Sequence, residues 1–199
     1  DISITLRGQP HPWVSRGGLK LEKGLTEFEI DVTGFVGVDV GASTGGFTDV
    51  LLQNGAAKVY AVDVGQGQLD WKLRNDERVV VMEKTNARHL TEEQISDAID
   101  IVVCDASFIG LRTVLPASME RVKDGGYLIA LIKPQFEVGK ERVGKKGVVR
   151  EPELHQEVCD TISDWLANLP GWNVLGITKS PITGPEGNVE FLICGRKTA

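Results

Sequence analysis

The chain has 199 residues, of which 41% are hydrophobic and 25% charged, with a formal net charge of −6. That length and balance suit one globular domain with a substantial core. They exclude a chain of membrane-spanning helices, since no apolar run nears ~20 residues, and a uniformly basic nucleic-acid binder.

The first residues, DISITLRGQPHPWVSRGG, lack the apolar stretch of a signal peptide. Strands and helices then alternate. FVGVDVG (35–41) reads as a buried strand and TGGFTDVLLQNG (44–55) as a helix stopped by Gly55. KVYAVDVG (58–65), RVVVMEK (78–84) and IDIVVCDAS (99–107) are further strands, and 67–76 a further helix. TEEQISDA (91–98) carries Thr91 and Gln94 in capping-box spacing, which predicts a helix start. Residues 110–123 read as a helix interrupted near Pro116, and GYLIALIK (126–133) as the fifth strand. FEVGKERVGKKGVVRE (136–151) is basic, glycine-rich and aperiodic, hence a loop. PELHQEVCDTISDWLANL (152–169) is an amphipathic helix with Pro152 in its first turn. Two last strands, 172–182 and 189–197, flank the turn-rich TGPEGN. This order predicts an α/β, doubly wound, Rossmann-like fold. Its seven-stranded sheet is mostly parallel, with an antiparallel last strand.

Three cysteines without a C-x-x-C pair, and three scattered histidines, predict reduced core thiols, a cytoplasmic setting and no metal.

In such sheets ligands bind at the C-terminal strand ends. The first strand ends in Asp39-Val40-Gly41-Ala42-Ser43-Thr44-Gly45-Gly46. Phe47 stands where a P-loop needs lysine, and Ser43 where a dinucleotide fingerprint needs glycine. The remaining pattern, D-x-G-x-x-x-G, is that of S-adenosylmethionine methyltransferases. Asp63, ending the second strand, is placed to accept ribose hydroxyls, Thr85-Asn86 to reach an adenine edge, and Asp105-Ala106-Ser107 to lie beside the methyl group. Taken singly, each is only a turn or a helix cap; taken in strand order, they favour the cofactor.

Four strings carry a resemblance: VSRGGLKLEKGL (14–25), DVGASTGGFTDVLLQNGA (39–56), VYAVDVGQGQLDWKLRNDERV (59–79) and IKPQFEVGKERVGKKGVVR (132–150). They resemble the haemolysin-A (TlyA) family, whose FtsJ-like domain methylates ribose 2′-hydroxyls, of cytidines in particular, in ribosomal RNA. Gln66 departs from the tyrosine expected there. The resemblance implies S-adenosylmethionine as cofactor, ribosomal RNA or ribosomal subunits as partner, and no role for a membrane or a metal. It also implies a methyltransferase domain over 14–199, with residues 1–13 as the stub of an S4-like RNA-binding domain. The competing readings are a non-catalytic RNA-binding or ribosome-assembly protein on this fold, a membrane-active haemolysin, and a small-molecule or protein methyltransferase on the same fold.

By motif, the resemblance implies a Lys–Asp–Lys–Glu tetrad of Lys20, Asp105, Lys133 and Glu190. Lysine at the end of a buried strand suits a general base, because burial and a second ammonium both lower a lysine's affinity for its proton. Lys133 is the expected base, Lys20 its charged neighbour, and Asp105 and Glu190 the orienting carboxylates. The expected cofactor residues are Asp39, Gly41, Ser43, Thr44, Gly45, Gly46, Phe47, Asp63, Asn86 and Asp105. The expected RNA contacts are Arg16, Lys20 and Lys23, in a cluster that includes Arg7, and Lys140, Arg142, Lys145, Lys146 and Arg150 beyond Lys133.

Overall fold

The apolar runs pair into one seven-stranded sheet of order β3-β2-β1-β4-β5-β7-β6 in a computed structural model that describes residues 11–198. The strands are β1 (Val36–Val40), β2 (Lys58–Val62), β3 (Val79–Met82), β4 (Ile99–Cys104), β5 (Val122–Ile132), β6 (Trp172–Lys179) and β7 (Phe191–Lys197). The helices are α1 (Gly18–Glu27), α2 (Gly46–Gln53), α3 (Trp71–Arg74), α4 (Leu111–Val114), α5 (Pro116–Met119) and α6 (Pro152–Ala167). β1 to β5 run parallel, whereas β7 is antiparallel to both β5 and β6.

Helices cover both faces of the sheet, which is why its central strands are mostly apolar rather than alternating. Val38, Val102, Leu128 and Ile193 face one core with Val114, Met119 and Ile162 from α4, α5 and α6. Val59, Ile101, Ile129 and Leu192 face the other with Leu21, Val50 and Leu73 from α1, α2 and α3. At Gly24 a Cβ would stand 3.3 Å from Ile129, so the missing side chain lets α1 lie close on β5.

Three segments depart from the expectation. The Thr91–Gln94 box forms, with Gln94 Oε1 accepting from the Thr91 amide at 3.0 Å, yet 91–98 stays a series of turns. Only Ile95 there is buried near its centre, and so short a segment gains too little to overcome helix nucleation. The helix expected over 110–123 ends at Met119, and β5 starts earlier than expected. Gly125 at φ 84° accompanies the shift in pairing register between Ile99 and Ile101. Finally α1 forms over Gly18–Glu27, in a segment to which the sequence reading assigned neither strand nor helix.

The topology places the site. Chain direction across the sheet reverses between β1 and β4, and a crevice opens beyond their carboxyl ends. Because β7 runs antiparallel, its first residue, Phe191, pairs with the last of β5, Ile132. Glu190 and Lys133 are therefore brought to the same edge.

Candidate active site

Two clefts meet at that edge, sharing Gly41, Ser43 and Asp105. One, of about 410 Å³, is lined by Asp63, Gly65, Gln68, Thr85, Asn86 and Ser107, among others. The other, of about 650 Å³, is bounded by Arg16 and Lys20 at the start of α1 and by the 182–186 loop between β6 and β7.

The glycine loop fits a ligand held by backbone. Gly41 has φ 78°, and a Cβ there would lie 2.7 Å from the Asp105 carbonyl oxygen. Side chains are thus excluded where β1 and β4 end. Gly45, at φ 103°, and Gly46 open α2, against whose residues Ser15 and Gly18 pack. Asp63 accepts the backbone N–H groups of Ser43 at 2.7 Å and Gly65 at 2.8 Å, which fixes its carboxylate across the smaller cleft. Asn86 caps a short turn by accepting from the Arg88 amide at 3.0 Å. The Phe47 ring is buried in the core and so reaches the cleft only marginally. Thr44 donates no side-chain bond but accepts, through its carbonyl, the Asp70 amide.

Asp39 is fully buried. Its Oδ2 accepts the Thr48 hydroxyl at 2.7 Å, while Oδ1 has no partner among the described residues. Burial, with the negative charge of Asp105 nearby, pushes its carboxyl up to about 7. Because the folded value is raised, the associated stability is fully present below about pH 4, falls as pH rises, and is lost above about pH 7. Asp39→Asn should flatten that decline and be more stable than wild type at pH 8, by up to about 4 kcal/mol at ~1.4 per unit. Thermal melts at pH 5 and 8 check this; parallel shifts of the two proteins would refute it.

The four residues of the expected tetrad lie in two ion pairs. Lys20 Nζ lies 2.6 Å from Glu190 Oε1, both side chains buried. Lys133 Nζ lies 2.5 Å from Asp105 Oδ1 and donates to Ser107 Oγ at 3.1 Å. Gly184 backs Glu190 so closely that a Cβ there would overlap Oε2.

A sequence profile described as FtsJ-like methyltransferase matches residues 13–197. The chain belongs to this family. Within it, the chain is 52% identical over 181 residues to the 16S/23S rRNA (cytidine-2′-O)-methyltransferase TlyA of Mycobacterium tuberculosis, covering 91% of this chain and 67% of that protein. It is 42% identical to Hemolysin A of Brachyspira hyodysenteriae, covering 90% and 75% respectively. A solved structure from Streptococcus thermophilus, of a protein named as a hemolysin, superposes with a TM-score of 0.91 at 48% identity, covering 96% of this chain and 70% of that one. These likenesses place the chain in the TlyA/hemolysin A branch of the FtsJ-like enzymes, which use S-adenosylmethionine. Among the described residues no helix is long and apolar enough to cross a membrane.

In this FtsJ-like domain the expected RNA contacts separate into two kinds. Arg16, Lys140, Lys145, Lys146 and Arg150 are exposed. Lys23 pairs with Glu27 on α1, Arg142 pairs with Glu157 on α6, and the Lys20 ammonium is turned inward to Glu190. Arg7 lies outside the described residues.

Sequence reading missed Phe108 and Glu137. Glu137 Oε1 accepts the Leu111 amide at 2.8 Å, tying the loop after Lys133 to the loop after Asp105. Burial pushes its carboxyl up. Phe108 is 90% exposed at φ 65°, with its ring centroid 5.1 Å from that of Phe136. An aromatic residue in a loop gives no periodic signal; only its exposure in the fold makes it conspicuous.

Proposed function

We propose that this chain methylates the 2′-hydroxyl of a cytidine in ribosomal RNA. The observation that carries the reading is the two lysine–carboxylate contacts, the buried Lys20–Glu190 pair and the pair of buried Lys133 with half-buried Asp105, which meet the clefts through Lys20 and Asp105. The names of the relatives, rRNA (cytidine-2′-O)-methyltransferases, supply the substrate.

Asp63, Asn86 and the Gly41–Gly46 loop would hold S-adenosylmethionine in the smaller cleft. When bound, it supplies a methyl group on a cationic sulfur. The residues of the chain do the rest. A ribose hydroxyl is a poor nucleophile until its proton is taken, and Lys133 serves as the general base that takes it. Asp105 and Ser107 hold the Lys133 nitrogen in place. Lys20, anchored by Glu190, lines the larger cleft and directs the ribose. Phe108, exposed beside Ser107, offers a stacking face for a base.

The test is methyl transfer to unmethylated ribosomal subunits, followed by mass mapping of nucleosides. A methylated cytidine ribose is expected; a methylated base or protein would overturn the reading. On the cofactor side, S-adenosylmethionine should raise the melting temperature, NAD and ATP should not, and Asp63→Ala should remove most of the rise. A rise undiminished in Asp63→Ala would contradict the assignment of that carboxylate.

Phosphate contact by the exposed loop predicts a further result. Lys145→Glu with Lys146→Glu should weaken RNA binding and lower the log–log salt slope by roughly 0.7–0.9 per lost contact. Cofactor affinity should not move. An unchanged slope would leave the loop as a solvated connector.

A further inference from the structure

Two turns in this chain close in the same way. In Gly144-Lys145-Lys146-Gly147-Val148 the Gly144 amide donates to the Val148 carbonyl at 3.0 Å, and the Gly147 amide to the Gly144 carbonyl at 3.3 Å. In Gly184-Pro185-Glu186-Gly187-Asn188 the equivalent bonds measure 2.8 and 3.2 Å. The third residue of each turn is left-handed, Lys146 at φ 59° and Glu186 at φ 58°. The first turn carries exposed lysines of the basic loop, and the second walls the larger cleft that Lys20 also lines.

One side chain joins the two turns. Asn188 is 3% exposed. Its Nδ2 donates to the Gly147 carbonyl at 3.0 Å and to the Pro185 carbonyl at 3.1 Å, and its Oδ1 accepts the Val149 amide at 3.1 Å. Both donors and the acceptor are used, two of the bonds on the basic loop and one on the cleft wall. Such bonds are costly to break when the groups left behind stay buried. Two residues further on, Glu190 holds Lys20. A continuous path of bonds therefore runs from the basic loop to the edge where the proposed reaction takes place.

We infer that Asn188 is a positioning residue. It fixes the register between the basic loop and the Lys20–Glu190 pair, so that an RNA phosphate held by Lys145 and Lys146 sets the target ribose in the larger cleft. Binding energy gained away from the reacting atoms then raises the rate of methyl transfer as well as the affinity. A loop joined flexibly to the same edge would contribute affinity alone. The inference rests on the RNA-methyltransferase reading above.

The experiment is a double-mutant cycle with unmethylated ribosomal subunits, reading both RNA affinity and the single-turnover rate at saturating RNA. One arm is Lys145→Glu with Lys146→Glu. The other is Asn188→Asp, which keeps the acceptor for Val149 and loses the donors to Gly147 and Pro185. Asn188→Asp should lower the rate by roughly 10–100-fold with RNA affinity nearly kept, and the lysine reversal should lower the rate by roughly tenfold. With both arms combined, the rate should stay within about threefold of Asn188→Asp alone, whereas the lysine reversal should weaken binding by the same factor in either background. A residue that merely supports the fold would leave the lysine effect on the rate unchanged. Rate effects that multiply therefore overturn the inference, as does an unchanged rate in either arm. If Asn188→Asp does not fold, Asn188→Ser, smaller and uncharged, takes its place in the same cycle with the same outcomes. If the wild type methylates no RNA, the function and the inference fall together; if it does, the function stands whatever the cycle shows.

Discussion

Lys133→Arg is expected to lose roughly 10²–10⁴-fold in single-turnover methyl transfer at saturating RNA, as much as Lys133→Ala. Lys133 is 6% exposed and sits 2.5 Å from Asp105. An arginine can keep that ion pair and its charge, so it preserves everything a fixed cation would provide. What it cannot do is accept a proton, because a guanidinium stays protonated at any working pH. RNA and cofactor affinities should be nearly kept in both variants, since the lost interaction belongs mainly to the transition state. Near-wild-type turnover by Lys133→Arg would reduce Lys133 to a positive charge and remove the general base from the proposal.

The second large effect concerns stability and activity together. Glu190→Ala should destabilise the fold by about 3–5 kcal/mol, because it leaves the Lys20 ammonium buried without its partner. It should also abolish most of the activity. The double variant Lys20→Met with Glu190→Leu separates these two effects. Removing both charges together removes the desolvation penalty as well, so the melting temperature should return close to that of wild type while methyl transfer stays lost. Recovery of activity with stability would mean that the pair serves only the fold. Failure of the double variant to recover stability would mean that the buried pair is needed to hold the 182–186 loop, through Gly184, against Glu190.

Much of this molecule was legible in its sequence because the relevant interactions are local or repetitive. The largely apolar runs at 35–41, 99–107 and 126–133 declare strands covered on both faces, and a strand alternating with a helix leaves few topologies open. The glycines after Asp39 declare a tight turn, and Gly55 ends α2 in the left-handed conformation, as its position implied. Where local signals stand without tertiary support they mislead. The Thr91–Gln94 box forms its hydrogen bonds, yet no helix follows, because one buried isoleucine does not offset the entropy of ordering a further turn.

What only the tertiary structure decided are relations between residues far apart in the chain. The sequence places lysines at 20 and 133 and acids at 105 and 190, but says nothing of which ammonium meets which carboxylate. The antiparallel insertion of β7 between β5 and β6 sets that, by pairing Phe191 with Ile132 and so delivering Glu190 to the edge where α1 presents Lys20. The same holds for charge. Eight basic residues looked equivalent as RNA contacts, and packing turned Lys20 inward and engaged Lys23 and Arg142 with neighbouring acids. Exposure, too, is a property of the fold. Phe108 and Gln135 look like loop filler and core filler in the sequence. Only the assembled loops leave one bare to solvent and the other with an oxygen that nothing among the described residues satisfies.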